Sequence, residues 1–149
     1  MAVASVAATV QAPPAAVFAV LADGWLSSNW VVDTSHMRAV EADWSAVGSR
    51  LHHATGVWPL VTRDESIVEE VEDGRRLVLT AKGGRLGEAR VVVELEPAGT
   101  GTRVTMAETP ITGPGKWVHR VSEAILLRRN AETLARLAAL AERRTQPAD

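Results

Sequence analysis

Few side chains in this 149-residue chain could exchange protons near neutral pH. It has no cysteine and no tyrosine, so imidazole and carboxylate are the groups left for acid–base work. The stretch "SRLHHATGVWPL" at residues 49–60 places His52 and His53 side by side. Neighbours on a strand point to opposite faces, so these two imidazoles cannot clasp one metal or relay a proton between them. Leu51, His53, Thr55 and Val57 share one face; His52, Ala54, Gly56 and Trp58 share the other. If Leu51 and Val57 face inward, so does His53, and His52 meets solvent. His53 then reads either as a partly buried histidine with a hydrogen-bond partner or as an acid–base or ligand contact.

Alternation also places Val104, Met106 and Glu108 on one face of the stretch "TRVTMAETP". Inward valine and methionine carry Glu108 inward with them. A carboxylate in an apolar pocket has its pKa raised by desolvation and can serve as a general acid or base. The competing reading is a solvated glutamate, or one paired with an arginine. "TRDES" offers an inward Arg63 or Asp64, but its phase is ambiguous, and these are expected to be surface charges. His36 and His119 have no neighbours that suggest a role. "TGPGKW" (112–117) is a Gly-rich approach to a helix without Walker spacing, and reads as a hinge or flap at Gly113 and Gly115. There is no GxGxxG, HxH or HExxH motif, so no metal and no cofactor is expected.

Composition limits the partners. Hydrophobic residues make up 46% of the chain, charged residues 23%, and the net charge is −2. That describes an ordinary globular protein, with nothing to suggest a nucleic-acid or anionic-membrane partner. The absence of cysteine fits a reducing compartment. "MAVASVAATVQAPP" lacks the basic start of a signal peptide, and no segment has the ~18 apolar residues of a membrane span. A cytoplasmic location and no integral membrane association are the expectations; a homodimer stays open.

The elements that position these groups can be read from periodicity. Residues 3–11 alternate as a half-buried strand, and "APPAAVFAVLADG" starts and closes a helix. Residues 25–31 give a second short helix or turn. From 34 to 110 six strands follow, separated by turn signals at Trp58-Pro59, Glu72-Asp73-Gly74, Gly83-Gly84 and "AGTG". Such short connections demand an antiparallel meander. Lys116 to about Arg144 reads as one long helix. Its apolar stripe is assigned to Trp117, Val121, Ala124, Ile125, Leu127, Ala131, Leu134, Leu137, Ala138 and Ala141. The fold expected is one α+β domain over residues 1–149. A curved seven-stranded antiparallel sheet wraps around the long C-terminal helix and leaves a cavity between them.

On "VQAPPAAVFAVLAD", "EVEDGRRLVL", "GTGTRVTMAE" and the closing helix, the chain resembles the START/polyketide cyclase-dehydratase-like (SRPBCC) superfamily. It looks closest to small actinobacterial-type members, with "ADGW", "VGSRLHHATGVWP" and "GPGKW" as local echoes. The resemblance implies a helix-grip fold and a hydrophobic ligand: a polyketide, lipid or aromatic metabolite. It does not choose among cyclase or dehydratase, non-catalytic carrier and co-chaperone-like interaction domain. Within that fold Trp25 and Trp30 fall at the cavity rim and Trp117 opens the helix. With Trp58 and Met106 they form the ligand-binding candidates, since indole combines a large apolar face with one polar handle. His53 and Glu108 are the candidates for catalysis.

Overall fold

The computed structural model describes residues 4–32, 34–55, 62–82, 87–112 and 119–145. The strands are β1 (Ala4–Val10), β2 (Thr34–Val40), β3 (Arg50–Thr55), β4 (Thr62–Glu72), β5 (Arg76–Lys82), β6 (Glu88–Ala98) and β7 (Gly101–Pro110). The helices are α1 (Pro14–Ala22), α2 (Ser27–Trp30) and α3 (His119–Thr145), with a 3-10 turn at Gly24–Leu26 between α1 and α2. The seven strands form one antiparallel sheet in the order β1-β7-β6-β5-β4-β3-β2. β2 to β7 are therefore a meander, and β1 closes onto β7 from the other end of the chain segment.

Local chemistry explains the punctuation. Pro14 occupies the first turn of α1, where a missing N–H costs nothing. Gly74 and Gly99 sit in the β4–β5 and β6–β7 turns at φ +76° and +59°, the left-handed region that glycine reaches without strain. Gly24 is needed for space. A Cβ there would lie 2.5 Å from the Leu51 side chain and 2.8 Å from that of Val40. In β4 the register shifts between Val68 and Glu70, so consecutive Glu69 and Glu70 are both exposed and Val71 turns back towards the core. This is the signature of a bulge.

The molecule has a solid half and a hollow half. In the solid half the C-terminal part of α3 brings Leu134, Leu137 and Ala141 against Val10, Val17, Val20 and Leu21, over Leu77, Val93, Leu95 and Val104. The assigned apolar stripe of α3 holds at Leu134, Leu137 and Ala141. It fails earlier in the helix: Ala124 and Ala131 are exposed and Ile125 is 64% exposed. The face turned to the sheet there carries Leu126, Arg129, Asn130 and Thr133. The reason is physical: this part of the helix looks onto a cavity, where polar side chains can be held by one another. No helix among the described residues is long and apolar enough to cross a membrane.

Leu137, 1% exposed, lies in the solid half. Its replacement by alanine is expected to cost about 2–5 kcal/mol. Urea unfolding checks this through a lower midpoint at unchanged slope.

Candidate functional site

Between the concave face of the sheet and α3 lies a cavity of ≈ 310 Å³. Its floor is apolar, formed by Leu77, Leu79 and Ala81 of β5 and Ala89, Val91 and Val93 of β6. Trp30 and Trp44 wall it on the side of α2 and the β2–β3 connection. An open charged cleft of ≈ 500 Å³ adjoins it and shares Asp64, Lys82, Gly87 and Glu88. In that cleft Lys82 reaches Glu65 at 3.0 Å, and this hydrogen bond holds the Glu65 carboxyl below its usual range.

Two polar groups interrupt the apolar wall. The first lies at the β3–β4 pair, where His53 stands opposite Asp64 in the ladder. Both line the cavity, as does Ser66, whose Oγ is 3.3 Å from His53 Nε2. Asp64 and Ser66 are 4% and 8% exposed. Burial pushes the His53 imidazole below its ordinary 6.5, because the charged form is the one that loses hydration. The carboxylate of Asp64 works against this, and the charges of Arg38 and His52 work with burial. His52 points to the outer face, 3.8 Å from Glu65.

The second group joins sheet to helix. Glu108 of β7 is buried, and its Oε2 accepts 2.6 Å from Arg129 Nη2 and 3.0 Å from Asn130 Nδ2. Of the two readings of Glu108, the one paired with an arginine holds: the glutamate faces a guanidinium and an amide. Hydrogen bonds to charged groups each stabilise by about 1.5–3 kcal/mol, and Arg129, part of whose side chain is in water, belongs at the low end.

Several other assignments change. Asp64 is not a surface charge but an inward one, and Arg63 is the exposed neighbour. Trp25 is 56% exposed and does not line the cavity. Successive residues of a 3-10 turn point ~120° apart, and here Gly24 takes the buried position. Trp30 is 6% exposed and lines the cavity, and among the described residues its indole N–H meets no acceptor. Met106 lines it too. Trp58, Trp117, Gly113 and Gly115 lie outside the described residues. Trp44, another of the five tryptophans that could line a pocket, does line the cavity and donates from Nε1 to the Leu21 carbonyl at 3.2 Å. The sequence reading missed Arg129 and Asn130, whose polarity on a helix looks like a solvent face. Among the described residues no group of three or more His, Asp or Glu could hold a metal ion.

A curved antiparallel sheet gripping one long helix around a cavity defines the helix-grip class of proteins. The chain belongs to the family described as polyketide cyclase / dehydrase and lipid transport, which it matches over residues 1–142. Among solved structures it is similar to protein NE0264 from Nitrosomonas europaea, at 20% identity over 96% of each chain and a TM-score of 0.75. It is also similar to the di-domain ARO/CYC StfQ from the steffimycin biosynthetic pathway, at 12% identity and a TM-score of 0.74, covering 95% of this chain and 51% of that one. Ara h 8.0201 aligns at 13% identity over 93% of this chain and 97% of that one, with a TM-score of 0.67. At such identities the likeness is one of fold. No curated protein matches the sequence.

The depressed His53 pKa makes a stability prediction. The unfolded chain binds a proton at this residue near 6.5 and the folded chain only at lower pH, so its contribution is complete above 6.5 and is lost as pH falls through the folded value. Replacing His53 by Gln removes the group. Between about pH 7.5 and 5.5 the Tm of the parent should fall more than that of the variant. Parallel Tm curves would show that His53 titrates normally.

Proposed function

We propose that the protein binds a hydrophobic small molecule — a polyketide, lipid or aromatic metabolite — in the cavity between sheet and α3, and performs cyclase- or dehydratase-type proton transfer on it. The observation that carries this reading is the pairing of an apolar floor with inward His53 and Glu108 in one cavity of ≈ 310 Å³. That volume is near the lower end of the ~300–1,000 Å³ range of small-molecule sites, which favours a compact ring system over a long acyl chain. Family membership and the likeness to a di-domain ARO/CYC support the ligand class.

The imidazole has the required property. Pushed below 6.5 by burial, the His53 imidazole is favoured in its neutral form, the form that accepts a proton from a carbon or oxygen acid. Glu108, held by Arg129 and Asn130, supplies a fixed carboxyl oxygen to the same cavity. Aldol-type cyclisation and dehydration need a proton shuttle and a dry, shaped space, and positioning alone supplies much of the acceleration. A carrier would need the floor without the inward acid–base groups.

Native mass spectrometry of protein purified from its own host, searching for a co-purifying small molecule, is the first test. With the compound in hand, binding and turnover are measured separately for Glu108→Gln and His53→Ala. Both are expected to bind within a few-fold of the parent and to lose turnover by roughly 10²-fold or more. Tight binding without turnover in the parent would support a carrier, and full turnover in both variants would remove these residues from the chemistry.

A further inference from the structure

The buried carboxylate of Asp64 has no part in the reading above, and its surroundings give it one. It stands directly across the β3–β4 ladder from His53, on the same inward face. Paired residues in an antiparallel ladder have Cα atoms ~4.5–5.5 Å apart, so the carboxylate and the imidazole are immediate neighbours. Ser66 is two residues further along β4, on the same face, and its hydroxyl lies 3.3 Å from His53 Nε2. Arg38 fixes the backbone on both sides: its Nε donates to the His53 carbonyl at 3.3 Å and its Nη2 to the Asp64 carbonyl at 3.3 Å.

Serine, histidine and aspartate in one cluster raise the question of a nucleophilic triad. The sheet argues against it. Ser66 is paired with Leu51 on one side and Ala81 on the other. With β4 laddered on both sides, its amides serve the sheet and none is spare to stabilise an oxyanion beside Ser66. What remains is the histidine and its orientation. Its Nε2 is engaged by Ser66, which leaves Nδ1 as the nitrogen for the carboxylate across the ladder. A carboxylate beside an imidazole holds the N–H on the nitrogen it faces and leaves the other nitrogen as the acceptor.

We propose that Asp64 is a positioning residue that holds His53 with its proton on Nδ1, so that Nε2 is the basic nitrogen presented to Ser66 and the cavity. This deepens the proton-transfer reading and rests on it for its functional meaning. The proton taken by Nε2 would come from the bound molecule's acidic C–H or O–H, either directly or through the Ser66 hydroxyl, and would be returned to a leaving oxygen; no other reactant is consumed. Other charged groups near His53 are Arg38 on β2 and His52 on β3, with Lys82 and Glu88 lining the cavity at the ends of β5 and β6.

The test is long-range ¹H–¹⁵N NMR of the histidine rings in the full chain, which needs no ligand. In the parent above its pKa, His53 should show a protonated Nδ1 and an unprotonated Nε2. Asp64→Asn should lower the His53 pKa and redistribute the proton between the two nitrogens, whereas Asp64→Glu, which keeps the charge, should stay closer to the parent. A parent His53 with its proton on Nε2 overturns the proposal even if no variant folds, as does an Asp64→Asn protein with unchanged tautomer and pKa. These outcomes are separable from the proposed function. Failure to find turnover with the Nδ1–H tautomer intact would retire the reaction and leave the positioning role of Asp64.

Discussion

A straight helix cannot fill the concave face of a seven-stranded antiparallel sheet along its whole length. In this chain the mismatch is resolved at one end and left open at the other. Helix α3 meets α1, β1 and β7, and its C-terminal part packs solid through Leu134, Leu137 and Ala141. Four residues before Leu134 the helix turns Asn130 inward, and one residue earlier Arg129; the space before them is the cavity. Interiors pack to crystal-like density wherever side chains can interdigitate. A persistent void therefore requires side chains that are kept apart by other bonds.

Those bonds are polar. Glu108 with Arg129 and Asn130 spans from β7 to α3 and keeps the helix at a fixed height above the floor of Leu79 and Val91. Thr133 Oγ1, accepting from the Val32 amide at 3.2 Å, ties the same stretch of helix to the segment after α2. Glu108 and Thr133 thus each find a partner in another element, so the hollow half gains definition where it lacks packing. The same low-dielectric surroundings act on His53. They depress its pKa and make a neutral imidazole available in a site walled by tryptophan and aliphatic side chains.

The strands, their order as a meander and the long closing helix were legible because alternation, turn glycines and helix formers all point the same way. Alternation also carries His53 and Glu108 to the inward face without any structure. It stalls at "TRDES", where Arg63, Asp64 and Glu65 are charged on both phases, and so the buried Asp64 could be found only from the ladder. On α3 the hydrophobic pattern misleads for a definite reason. Periodicity finds the face that packs against apolar neighbours, but here the inward face of the hollow half holds Arg129, Asn130 and Thr133 while Ile125 faces water. Trp25 shows a third limit: the resemblance implies a place at the cavity rim, and the geometry of a 3-10 turn puts it outside.

The central claim is that the hollow half is a binding site rather than a packing defect. The most direct measurement is ¹⁵N and ¹³C-methyl chemical-shift mapping on titration with 1-anilinonaphthalene-8-sulfonate as an apolar aromatic probe. The account predicts saturable shifts at the Trp30 indole N–H, the Asn130 side-chain amide and the methyls of Leu79 and Val91, with the outward Ile125 and Trp25 unmoved. Shifts confined to Ile125, Trp25 and other outward residues, with the inward set unchanged at saturation, would contradict it.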